Sequence, residues 1–207
     1  MMTLLEQEIK KYNITAGAGN GFKAINPDSA LSSFRARENL IHKFAFAIPN
    51  EESFKVFKKH QPLLEVGAGT GYWAYEIANR DIDIIATDIC FFNKKYNFSH
   101  IWSDEFGRSK LRSAKFIFAK MSAEDAIQKY PNHTLFMCWP CYCEAWSGEA
   151  LKKYKGNHFI LISEGQSGCC GGEELWEEID KNWLEIETVA IPKFEGIHDF
   201  IAVYKRK

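Results

Sequence analysis

The chain has 207 residues and a mass of 23.8 kDa, enough for one domain with a sizeable core. Apolar residues make up 46% of it and charged residues 26%, close to the usage of folded soluble domains, which argues against a disordered tract, a collagen-like repeat or a coiled coil. The formal net charge is −1, so a nucleic-acid partner, whose phosphate backbone calls for a clear positive excess, is not expected.

At the start, Met1 to Ile9 carries Glu6 and Glu8 and lacks a basic stretch followed by an apolar core, so no secretory signal is read there. No apolar run nears the roughly 20 residues of a membrane span. Gly17-Ala18-Gly19-Asn20-Gly21 reads as a loop, with folding over a ligand as the alternative. From Asp28 to Ile48 apolar positions recur at helical spacing (Leu31, Phe34, Ile41, Phe44, Ala45, Ile48), predicting an amphipathic helix that Pro49 ends. Asn50 is placed to cap a second helix up to His60, with Glu51 and Glu52 in its first turn. Residues 1–61 are thus expected to form a helical cap on a main domain, 62–207.

From Pro62 short apolar runs alternate with helical stretches. Leu63–Val66, Asp83–Thr87, Phe116–Ala119, Thr134–Cys138 and His158–Ser163 read as strands. Tyr72–Asn79, Ser122–Tyr130, Ala145–Tyr154 and Glu173–Trp183 read as the helices between them. That alternation predicts a doubly wound α/β fold with a mostly parallel sheet covered on both faces. Leu184–Ile191 and Phe200–Tyr204 follow with no helix between, which predicts a closing antiparallel hairpin. Seven Lys or Arg between Lys94 and Lys120 read as a solvated face rather than a binding patch.

Glu65-Val66-Gly67-Ala68-Gly69-Thr70-Gly71 leaves an apolar strand and enters a helix, the context in which a glycine turn approaches a ligand with no β-carbon in the way. A dinucleotide fingerprint would place its third glycine where Tyr72 stands, which disfavours a nicotinamide-dependent oxidoreductase. The spacing, with Glu65 ahead of it, resembles motif I of class I S-adenosylmethionine-dependent methyltransferases, and the resemblance runs from about Pro62 to the end. It implies a seven-stranded sheet, S-adenosylmethionine as cofactor, and a cofactor turn of Glu65, Gly67, Ala68, Gly69 and Gly71. Asp88, 21 residues after Gly67, would accept from both ribose hydroxyls. Ser122 and Ala123 would flank the adenine. The chain also resembles a subgroup of uncharacterised methyltransferase-like proteins with a Trp-Pro-x-Tyr segment and a glycine-rich loop after the fifth strand.

Trp139-Pro140-Cys141-Tyr142 stands where amino-group methyltransferases of this superfamily carry a polar residue, two prolines and an aromatic. Trp139 only donates through its indole, so methylation of nucleic-acid adenine is not expected, and Trp139 is placed among the residues bordering the cofactor. Tyr142 and Glu164 are the candidate catalytic residues, Glu164 as base, at a rim continued by Gly165, Gly168, Gly171 and Gly172. Cys141, Cys143, Cys169 and Cys170 converge on that rim, but C-x-C and C-C are poor zinc spacings. No metal is expected and the thiols are expected to be reduced; with neither a secretory signal nor a membrane span read, the expected setting is cytoplasmic. The six histidines form no recognisable cluster.

These features point to an S-adenosylmethionine-dependent methyltransferase for a small-molecule or protein acceptor, without a membrane partner. The alternative is a noncatalytic module that binds the cofactor as a sensor or scaffold.

Overall fold

The computed structural model describes residues 2–11, 16–17, 37–41, 43–89, 115–194 and 196–207. The elements are α1 (Leu4–Lys11), β1 (Ala16–Gly17), α2 (Glu51–His60), β2 (Leu63–Val66), α3 (Tyr72–Ala78), β3 (Ile84–Thr87), β4 (Ile117–Ala119) and α4 (Ala123–Lys129), followed by β5 (Thr134–Cys138), α5 (Trp146–Lys153), β6 (His158–Ser163), α6 (Glu173–Asn182), β7 (Trp183–Ala190), β8 (Lys193–Phe194) and β9 (Phe200–Arg206).

The main sheet has seven strands in the order β4-β3-β2-β5-β6-β9-β7. The first five are parallel, while β9 runs antiparallel to both β6 and β7. The hairpin is therefore present, but its second strand lies inside the sheet and its first at the edge. Chain order reverses between β2 and β5, the kind of switch point at which open α/β sheets bind ligands beyond their carboxyl ends.

Alternation along each strand builds two cores. Leu63, Phe136, Ile160, Ile162, Ile201 and Val203 face α2 and α3, against Phe57 and Trp73. Leu64, Leu135, Met137, Phe159, Leu161 and Ala202 face α4, α5 and α6, against Ile127, Leu151 and Ile179. Burial of each of these large side chains contributes roughly 1.5–3 kcal/mol. β7, at the edge, leaves Leu184 and Ile186 exposed, while its register with β9 shifts between Glu185 and Glu187, a bulge of the kind that discourages further pairing.

A third cluster joins Leu5, Ile9, Leu40, Phe44 and Ile48 to Tyr72 and Phe194. Thr3 and Glu6 reciprocally cap α1. The Leu4 and Leu5 amides donate to Glu76 and to the Tyr72 hydroxyl, both at 2.9 Å. Tyr72, standing where a dinucleotide fingerprint has glycine, is thus the anchor of α1.

Three sequence expectations are corrected. The helix read through Ile48 does not reach it: residues 37–41 and 43 are helical and 44–50 are irregular. The Phe44 carbonyl accepts from the Thr70 hydroxyl rather than from a helical amide, and Pro49 pushes Ile48 toward extended backbone. Asn50 does cap α2, in a full capping box with Ser53. The loop before β9 holds a short strand, β8, which pairs with β1 at Ala16 and Gly17; Ala18–Gly21, like most of the basic stretch 94–120, lies outside the described residues. Trp183 opens β7 instead of closing α6. Among the described residues no helix is long and apolar enough to cross a membrane.

Candidate functional site

The glycine turn leaves β2 with Gly67, Gly69 and Gly71 all at positive φ (+66°, +53° and +74°), a run that residues with a β-carbon adopt only at a cost. A β-carbon at Gly67 would lie 2.7 Å from the Trp146 ring, whereas one at Gly69 would meet nothing within 4 Å. The turn is therefore packed from behind at Gly67 and open at Gly69. Ala68 donates to the Thr87 carbonyl at 3.0 Å, tying the turn to the end of β3.

Glu65 is 1% exposed, and its Oε2 has no hydrogen-bond partner among the described residues. Burial, reinforced by nearby Asp88, holds its carboxyl well above the usual range, although the Ala74 amide acts in the other direction. Asp88, also buried, accepts the Gly69 amide at 2.8 Å, and its own amide bonds the Ala119 carbonyl at the end of β4. Beyond β4, Ser122 caps α4 by accepting from Asp125 at 3.1 Å, and Ala123 packs against the α4 core. Glu65, the glycines, Asp88, Ser122 and Ala123 consequently share the carboxyl rim of three adjacent strands.

On the other side of the switch point, Trp139 follows β5 with φ +51°, an unusual conformation for a bulky residue. Its ring stacks on Phe46 at 5.2 Å and 16°, its amide bonds the Ile162 carbonyl, and its indole donates to Asp199 Oδ1 at 2.7 Å. Arg37 stands over Trp139 and Phe194 at 5.7 and 5.6 Å. Glu164 accepts the His198 amide at 2.9 Å and the Cys169 amide at 3.3 Å. Both of its oxygens therefore hold backbone. Tyr142 is 62% exposed and borders a cavity of about 680 Å³ with Glu144, Glu173, Glu174 and Glu177; this cavity lies on the α6 flank, and no residue of the glycine turn lines it.

The Gly171 amide bonds the Pro140 carbonyl, bringing the two cysteine-bearing loops together. Cys138, Cys141, Cys143, Cys169 and Cys170 are free thiols. Among the described residues no group of three or more His, Cys, Asp or Glu is arranged to hold a metal. Sequence reasoning missed Trp146, Phe46 and above all Asp199, whose only signal was an acid next to the apolar run that became β9.

No protein-family model matches the chain, and no curated protein matches it in sequence. Solved structures do match. Sp1610 of Streptococcus pneumoniae, whose proposed activity is tRNA (m1A22) methylation, overlays with a TM-score of 0.51 at 12% identity, over 77% of this chain and 71% of that one. Its complex with S-adenosyl-L-methionine overlays with a TM-score of 0.51 at 14% identity, over 76% and 73%. For M. capricolum TrmK with S-adenosyl-homocysteine the values are 0.48 and 13%, over 74% and 66%. The Sp1610 overlays, together with the strand order, give this chain the fold of class I, Rossmann-like methyltransferases, as its sequence led one to expect.

Proposed function

We propose that the chain binds S-adenosylmethionine along the rim from Glu65 to Ser122 and transfers its methyl group to a small-molecule or protein acceptor. The observation that carries this reading is the unpartnered, fully buried Glu65 Oε2 beside a glycine turn that is open at Gly69. A buried acceptor without a donor costs about 1–3 kcal/mol, and the ammonium of the cofactor's amino-acid part supplies such a donor. The residues present fit the group: Gly67, Ala68, Gly69 and Gly71 give it a backbone wall, Asp88 an acceptor for ribose hydroxyls, Ser122 and Ala123 a boundary for the base, and Trp139 a boundary near the reacting end.

Once bound, the cofactor brings an activated methyl on a sulfonium. The protein's part is chiefly to align the acceptor and exclude water. Glu164 would offer a carboxylate on the acceptor side of the rim, while Tyr142, which lines the α6 flank, would serve as a stacking surface for an acceptor that extends to that flank. Calorimetric titration with S-adenosylmethionine and with NAD tests the reading: micromolar binding of the first and none of the second is expected, and the reverse defeats it. Transfer of labelled methyl to metabolite and protein pools, with tRNA as a comparison, then separates an enzyme from the noncatalytic module that the indole of Trp139, in place of a polar acceptor, would suit.

A further inference from the structure

We propose that Asp199 is the acceptor-side carboxylate of this site: fixed at Oδ1 by the Trp139 indole, it uses Oδ2 to take the proton of an N–H or O–H methyl acceptor. The proposal rests on the methyl-transfer reading above and adds a residue to it.

Topology sets the place. Asp199 immediately precedes β9, whose first residue pairs with Ser163 at the end of β6, so it stands on the same rim as Trp139 and Glu164. The Cys138 thiol, half-buried at the end of β5, is pushed up by burial and then by Glu65 and Asp199, one carboxyl from each side of the switch point. Asp199 has no exposed surface, Oδ1 holds the indole at 2.7 Å, and Oδ2 has no partner among the described residues. A fold that needed Asp199 only to fasten Trp139 would be served by a neutral acceptor, without an ionisable oxygen left buried and unpaired. Trp139 is meanwhile held at a positive φ while making this bond, the kind of local strain that gathers at functional sites.

The surroundings suit a base working near neutrality. Burial and Glu164 raise the Asp199 carboxyl, Trp139, Arg37 and Lys193 lower it, and it comes to about 7. In the transfer, a bond from the acceptor's nitrogen or oxygen to the methyl carbon forms as the carbon–sulfur bond breaks, the electron pair staying on sulfur, and the acceptor's proton passes to Oδ2. A sulfonium, a neutral acceptor and a carboxylate become a thioether, a methylated neutral product and a carboxylic acid. Glu164 then has a different part: by accepting the His198 amide it positions the segment that carries Asp199.

Two nucleosides test this without knowledge of the acceptor: S-adenosylhomocysteine, and sinefungin, whose charged amine occupies the place of the methylsulfonium. The wild type should prefer sinefungin, and Asp199→Asn, which keeps an oxygen for the indole, should cut that preference at least tenfold while S-adenosylhomocysteine affinity stays within twofold. In the wild type the preference should shrink as pH falls through about 7. A preference that survives in Asp199→Asn, or stays constant from pH 5.5 to 8.5, overturns the proposal. Failure of both nucleosides to bind the wild type defeats the cofactor reading instead.

Discussion

The Gly69 amide donates to the Asp88 carboxylate at 2.8 Å, so one acid braces the glycine turn from the next strand while lying where a ribose is expected. Asp88→Ala removes both the brace and the acceptor. Its dissociation constant for S-adenosylhomocysteine should rise at least about tenfold, as loss of charge-assisted hydrogen bonds worth roughly 1.5–3 kcal/mol requires. An unchanged calorimetric affinity would take Asp88 out of the site.

Gly67 and Gly69 should respond differently to the same substitution. Gly67→Ala combines a left-handed backbone with a clash against Trp146 at 2.7 Å, and should lose roughly 2–4 kcal/mol in urea unfolding. Gly69→Ala enters open space and should lose only roughly 1–2 kcal/mol, yet it should weaken cofactor binding more than that loss accounts for, because its methyl takes ligand space.

Asp199 should leave a mark on stability against pH. Its carboxyl rises from about 4 in the unfolded chain to about 7 in the fold, so between these values the folded state holds more protons. Stability from this group is therefore greatest below about pH 4 and declines as pH rises to about 7. Asp199→Asn removes the decline, and should be more stable than the parent at pH 8, on the order of 4 kcal/mol, with little difference at pH 4. Urea melts at both values measure it; Glu65 contributes a slope of the same sign, so the difference between variant and parent is the quantity to read.

Alkylation should divide the described cysteines. Burial pushes Cys138 up strongly and Cys170 to about 12, while Cys143 and Cys169 are exposed. Since the thiolate is the nucleophile, iodoacetamide mapped by mass spectrometry should label Cys143 and Cys169 well before Cys138 and Cys170 in the native protein.

The parallel half of the fold was legible because each of its strands is a short apolar run whose neighbours alternate between two covered faces; Leu63 and Leu64 already announce the two cores. The glycine turn was legible for a similar reason, since Glu65 to Gly71 is one local piece of backbone. Trp139 with Asp199 was not. The two are 60 residues apart, and only the return of β9 alongside β6 brings them together. Phe44 misled for a related reason: its helical spacing is real, but its carbonyl is taken by Thr70, a partner 26 residues away. The pairing of β1 with β8 spans still more of the chain, through two-residue strands too short to leave a pattern.

β7 precedes β9 in the chain yet, among the described residues, pairs with the main sheet only through it. Without β9 between them, β6 and β7 have no strand in common, and β7 keeps flank contacts such as the Lys59–Glu187 ion pair rather than a place in the sheet. Asp199 is the residue just ahead of β9. Closure of the sheet and the placement of Asp199, proposed above as the proton acceptor, then depend on one and the same strand.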